Sequence, residues 1–147
     1  MDVPAKARAV IIGGGVVGCS IAYHLGKLGW QDVVLLERKQ LTCGTTWHAA
    51  GLIAQLRATQ NMTRLAKYSQ ELYFGLEDET GVATGFKRNG SMTVALTDER
   101  MEELRRSAAM ARAFGVEIDE ISSSDIDSRY PGPVSYTHLT LPTNGLG

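Results

Sequence analysis

The residues with the clearest chemical purpose lie at positions 13–18, which read Gly-Gly-Gly-Val-Val-Gly. Gly13, Gly15 and Gly18 complete a G-x-G-x-x-G pattern, and each glycine has a separate task. Gly13 permits a tight strand-to-helix turn, Gly15 lets a pyrophosphate approach the backbone, and Gly18 lets a helix pack closely on a strand. The N-terminus of the helix that follows offers unpaired N–H groups and a partial positive charge to the phosphates. Glu37 closes the next apolar run. A carboxylate there accepts hydrogen bonds from ribose hydroxyls and repels a 2′-phosphate. The chemistry on offer is the grip on a dinucleotide.

Such a motif acts only if the elements around it place it correctly. Ala9-Val10-Ile11-Ile12 is a short apolar run fit for a strand buried on both faces, directly before the glycines. Cys19 to Leu28 follow as a helix with Ile21, Ala22 and Leu25 on one face, and Gly29 ends it. Residues 32–37, Asp-Val-Val-Leu-Leu-Glu, read as a second buried strand that delivers Glu37. Strand, glycine turn, helix, strand and acid occur in the order that dinucleotide binding requires. Spacing alone leaves NAD and FAD both open.

Beyond this unit, residues 42–58 read as a Gly-, Thr- and Ala-rich loop leading into a helical turn. Asn61 is the predicted cap of a helix whose inward stripe is Met62, Leu65, Ser69, Leu72 and Leu76. Asn89-Gly90 signals a turn, after which Met92, Val94 and Leu96 alternate inward with Ser91, Thr93 and Ala95 outward. Thr97 or Asp98 caps a further helix with Met101, Leu104, Ala108 and Ala111 inward. Val116–Ile118 is predicted as a short strand and Ser122–Ser124 as the cap of a final turn.

The 147 residues are 44% hydrophobic and 21% charged, ordinary globular usage. A formal charge of −1 gives no electrostatic reason to expect a nucleic acid or an anionic membrane as partner. No apolar run approaches the ~20 residues that span a bilayer, and residues 1–8 read as a flexible start with neither secretory signal nor transit peptide. Two cysteines, Cys19 and Cys43, are too few for a disulfide scaffold. The expected location is cytoplasmic, or the mitochondrial matrix if the source is eukaryotic. No Cys or His spacing indicates a metal site. The last 18 positions carry no charge and three of the four prolines. Residues 131–147 therefore read as an irregular or non-native tail, Val134–Thr143 looking like translated adapter sequence.

The stretch Leu41-Thr42-Cys43-Gly44-Thr45-Thr46-Trp47-His48-Ala49-Ala50-Gly51-Leu52 carries a resemblance. With the glycine loop and Glu37-Arg38, it is similar to the D-amino-acid-oxidase-like superfamily of FAD-dependent amine oxidoreductases, closest to its dimethylglycine and sarcosine dehydrogenase branch. The resemblance runs over residues 9–130. Cys43 departs from it, standing where Ser or Ala is expected. The implied fold class is α/β: the N-terminal part of a three-layer Rossmann-like FAD-binding domain, with the start of an antiparallel substrate-domain sheet. The implied reaction is oxidation of an N-methyl amine such as sarcosine or dimethylglycine, with a hydride equivalent passing to FAD. Tetrahydrofolate and an electron-transfer flavoprotein are the implied partners of a full-length protein.

Carried onto this chain, the resemblance assigns cofactor binding to Gly13, Gly15, Val16, Val17, Gly18, Glu37, Arg38, Gly44, Thr45, Thr46, His48 and Gly51, and no catalytic residue. It implies a covalent bond from His48 to the flavin 8α-methyl carbon. The residues alone favour a histidine that only lines the cofactor loop or caps a turn. His24 reads as structural and Cys19 as a small buried hydrophobe. Three other functions stay open: a related flavoenzyme such as glycine oxidase or glycerol-3-phosphate dehydrogenase, an NAD-dependent dehydrogenase, and a non-catalytic nucleotide-binding fragment.

Overall fold

The structure is a computed structural model that describes residues 4–122 and 125–126, together with the backbone of residues 140–143. The chain divides into two units, Met1–Leu52 and Ile53–Gly147.

The N-terminal unit is one βαβ turn. Strand β1 (Ala9–Ile12) leads through the glycine loop into helix α1 (Val16–Lys27), and strand β2 (Val33–Leu36) returns parallel to β1. Ala9 pairs with Val33 and Ile12 with Leu36. Parallel pairing needs a crossover, and α1 supplies it. The helix ends as predicted: Gly29 adopts φ +76°, its N–H bonds Gly26 O, and the Trp30 N–H reaches back to Leu25 O. This is the left-handed glycine stop with both of its backbone bonds. The Arg8 guanidinium lies 3.9 Å over the Trp30 ring, beside the Arg8 N–H bond to Asp32 O.

Two expectations are corrected here. Helix α1 begins at Val16 rather than Cys19, because Gly15 in extended conformation already serves as its N-cap and Gly18 lies inside the first turn. The strands are not buried on both faces. Ile11 is buried, whereas Val10 is 55% and Ile12 87% exposed. Successive strand residues point to opposite faces, and Ile11 is the one that meets α1, its Cγ2 near Gly18.

The C-terminal unit contains α2 (Gln60–Thr80), β3 (Ser91–Val94), α3 (Asp98–Ala113) and β4 (Thr140–Thr143), with β3 and β4 antiparallel. Its core forms around α3: Met101, Leu104, Ala108 and Ala111 are buried with Ala95, Val116 and Ile118, and Leu56 packs against them. The inward face of α3 matches its periodicity, and Thr97 caps it, Oγ1 accepting the Arg100 N–H at 3.2 Å. Ser122 and Asp125 cap each other reciprocally: Ser122 Oγ accepts the Asp125 N–H, and Asp125 Oδ2 accepts the Ser122 N–H.

Helix α2 differs from its prediction in both start and face. Thr59, not Asn61, is the cap, accepting the Met62 N–H at 3.3 Å. The buried residues are Thr63, Ala66 and Gln70, while Met62 is 52% and Leu65 58% exposed. The buried face is polar because it is hydrogen-bonded. Thr63 Oγ1 accepts the Arg57 N–H and donates to the Arg57 carbonyl, and Gln70 Oε1 accepts from Gln55 Nε2. A buried hydroxyl with both partners costs little, so polar pairing outweighed the apolar stripe.

The alternation of β3 also ends one residue early: Ala95 is fully buried and Leu96 60% exposed. Val116 and Ile118 are buried as a strand would require, but only isolated bridges form, at Ile118 and Ile121. Strand β4 falls in the segment read as irregular, with Pro142 opposite Met92. The rest of 131–147 lies outside the described residues. Among the described residues no helix is long and apolar enough to cross a membrane.

Candidate dinucleotide groove

The glycine loop leaves β1 with Gly13 at φ +105°, a region open to glycine and hostile to side chains. Its N–H donates to Leu36 O at 2.8 Å, continuing the β1–β2 ladder by one bond. Gly18 then passes so close that a Cβ on it would stand 1.9 Å from Gly13 O. No rotamer relieves a clash with backbone, so position 18 requires glycine.

Glu37 is locked onto the loop. One carboxylate oxygen accepts the Gly14 N–H at 2.8 Å and the other the Lys39 N–H at 2.9 Å. These donors hold its carboxyl below the ordinary glutamate range, the Gly14 N–H foremost and the Lys39 N–H next. An ionised carboxylate has about four lone-pair sites, so two remain for hydroxyl donors. Gly14 occupies a variable position of the motif, yet a Cβ there would lie 2.6 Å from Leu41 Cδ2 and 3.0 Å from Glu37 Cβ. Glycine at this middle position of the triplet is what lets the acid reach the loop.

A second segment closes over the first. Thr42 sits at φ +65°, rare for a β-branched residue, and its N–H donates to Gly14 O at 2.8 Å. A short 3₁₀ turn, Thr45–His48, follows. From it Thr46 Oγ1 accepts the Val16 N–H at 2.9 Å. Cys19, expected as a small buried hydrophobe, is only half-buried, its Sγ donating to Gly14 O at 3.5 Å.

The result is a groove of about 660 Å³ contained within the N-terminal unit. Of the residues expected to bind cofactor, Gly13, Gly15, Val16, Val17, Gly18, Glu37, Arg38, Gly44, Thr45 and Thr46 line it. His48 and Gly51 do not. His48 is exposed and its ring tilts against Trp47, centroids 4.0 Å apart. Gly51 takes φ +72° just beyond. Lys39, Cys43 and Ala49 also line the groove and were not anticipated. Lys39 acts through a backbone N–H, which no residue type could have announced, whereas Gly14 was legible in the glycine triplet. His24 is structural, Nδ1 lying 2.6 Å from Ser20 O one turn earlier. Among the described residues no cluster of three or more His, Cys, Asp or Glu could hold a metal ion.

Comparison with known proteins places this arrangement. The family model described as DAO, FAD dependent oxidoreductase, matches residues 8–145. Human mitochondrial sarcosine dehydrogenase is 42% identical over 87% of the chain and 14% of its own length. Rat mitochondrial dimethylglycine dehydrogenase is 43% identical over 86% and 15%. The mitochondrial pyruvate dehydrogenase phosphatase regulatory subunit of Mus musculus is 41% identical over 87% and 15%. The chain thus spans about one seventh of the length of these relatives. Among solved structures, L-proline dehydrogenase from P. horikoshii superposes with a TM-score of 0.84 at 26% identity, covering 97% of this chain and 38% of that one.

Proposed function

The chain belongs to the DAO family of FAD-dependent oxidoreductases, and from that premise we propose that it is the cofactor-gripping part of an N-methyl amine dehydrogenase. The observation that carries the cofactor half is the Glu37 carboxylate clamped to the glycine loop through Gly14. The residues fit the ADP half of FAD. Glycine at 18 and at 14 lets helix, strand and acid close on the loop, the start of α1 lines the groove where the pyrophosphate would lie, and Glu37 keeps lone pairs for the ribose hydroxyls. Arg38, Gly44 and Thr45 complete the groove wall, and Gly51 ends the segment that carries His48. In this reading His48 holds the flavin through a ring nitrogen, a competent nucleophile near neutral pH.

The amine half rests on identities of 42–43% to sarcosine and dimethylglycine dehydrogenases. Bound FAD supplies a two-electron acceptor for the hydride equivalent leaving the N-methyl carbon. The protein orients the amine against it. An electron-transfer flavoprotein and tetrahydrofolate are proposed as partners of the whole protein, in the mitochondrial matrix if the source is eukaryotic.

A second reading has a specific observation behind it. The pyruvate dehydrogenase phosphatase regulatory subunit is as similar as the dehydrogenases, so a flavin-holding regulatory protein is the alternative. Adding sarcosine or dimethylglycine without oxygen to the FAD-loaded full-length protein separates them. Bleaching of the yellow flavin supports the dehydrogenase; retained colour with both amines overturns it and favours the regulatory reading. Acid denaturation tests His48: flavin fluorescence should migrate with the polypeptide, and complete release from the wild type would refute attachment.

A further inference from the structure

The chain between α2 and β3 lays two side chains against successive aromatic residues of the helix. Phe86 meets Tyr73 with ring centroids 6.4 Å apart, and the Arg88 guanidinium stands 3.8 Å over the Phe74 ring. A ring face attracts the charge of a guanidinium, but its five N–H donors need oxygen acceptors. Among the described residues Arg88 has no ion pair and no hydrogen bond, and its Nε is shut off from solvent without a partner. An enclosed donor lacking an acceptor is costly and calls for an explanation. Phe74 remains 57% exposed beside it. Aromatic and arginine side chains anchor protein interfaces. Stacking on Phe74 orders this arginine before any partner arrives, which lowers the cost of binding.

We propose that Arg88 and Phe74 form a docking surface for a peptide segment of a partner protein. One carboxylate of that segment takes the guanidinium fork, and a neighbouring apolar side chain covers the ring. A carboxylate matches the fork with two parallel N–H···O bonds. The segment carries a single acid rather than an acidic run. Glu71, Glu77 and Asp78 lie three or four positions from Phe74 and so flank it on α2, where they repel further carboxylates. The surface lies wholly in the C-terminal unit and none of its residues lines the groove, so it stands apart from the FAD reading.

The test uses the full chain with its arginines isotopically labelled for NMR. The Arg88 Nε–H signal, identified by its absence in Arg88→Lys, is then followed directly. The probes are acetyl-Leu-Asp-Leu-amide, its Asn counterpart and sodium acetate. The Asp peptide should shift the signal saturably, and the Asn peptide should leave it in place. Acetate offers the carboxylate without the apolar neighbours and should need a concentration at least about 10-fold higher. Arg88→Lys keeps the charge and loses the fork, so it should weaken Asp-peptide binding about 10-fold, read from the methyl signals of the peptide. An Arg88 signal unmoved by the Asp peptide, an equal shift with the Asn peptide, or unchanged affinity in Arg88→Lys would each overturn the docking surface. Acetate as effective as the Asp peptide would also overturn it, by making a free small carboxylate the occupant.

Discussion

In the N-terminal unit the long-range bonds run between loops: Gly14 to Glu37, Val16 to Thr46 and Thr42 to Gly14. Of β1 only Ile11 is buried, and Ile12 is 87% exposed. In the C-terminal unit the arrangement is reversed. Four side chains of α3 close a core with Ala95, Val116 and Ile118, and the exposed side of α3 carries arginine–glutamate pairs at Arg100–Glu103 and Arg105–Glu120. One unit derives its order from backbone polar groups around a groove, the other from apolar volume. Substitutions should therefore be read out differently, as lost ligand in the first unit and as lost stability in the second.

The largest effect is expected at Gly18→Ala. Alanine in a helix normally gains up to about 1 kcal/mol over glycine. Here the Cβ would meet Gly13 O at 1.9 Å, and overpacking against backbone reverses the sign, costing about 3 kcal/mol or more. ADP binding, measured by calorimetry, should vanish. Retained binding would break the claim that the groove is built of close backbone contacts.

Leu104→Ala probes the other unit. Removing a buried leucine costs about 2–5 kcal/mol, so thermal unfolding of the C-terminal unit should shift strongly downward. ADP affinity should stay within a few-fold, since every groove residue lies in the first unit. A parallel loss of ADP affinity would dissolve the contrast.

Glu37→Gln should weaken ADP binding roughly 10-fold or more, a charge-assisted acceptor being replaced by a neutral one. Its pH dependence sharpens the point. Because the folded carboxyl titrates below its ordinary value, the unfolded chain binds more protons at this group. Its contribution is complete above about pH 4.3 and is lost as pH falls from there through the lowered folded value. Wild-type affinity for ADP should fall in that acidic window, and the Gln variant should show no such step.

The smallest effect is expected at Ile12→Thr. A side chain 87% exposed gives up little buried surface, so stability should change by no more than about 0.5 kcal/mol. A larger loss would mean that this face is covered in solution.

What the sequence disclosed follows the same division. The groove was legible because its requirements are steric and local. Glycines at 13, 15 and 18, a strand on each side and an acid at 37 leave few other solutions. Helix α3 was legible because its apolar residues recur at the helical period without polar competition. Helix α2 was misread because Met62 and Leu65 mark a plausible face, whereas the buried face uses Thr63 and Gln70, whose value depends on partners in the preceding loop. Burial of β1 was overestimated for a related reason: an apolar run records suitability for covering, not what covers it. His48 and Gly51 rest on resemblance alone, since no local physical rule binds them to the groove.

Every wall of the groove lies between Ile11 and Ala49, and this locality bears on the order in which the protein takes shape. The Gly14–Glu37 bond spans 23 positions, and each doubling of a flexible loop adds only about 0.6 kcal/mol to its closure. Contacts so near in sequence form early and fast relative to distant pairings. Synthesis runs from the N-terminus, and domains fold as they emerge. By the time residue 52 clears the ribosome, the nascent chain holds all the described residues that line this groove, before any of the α3 core has been translated.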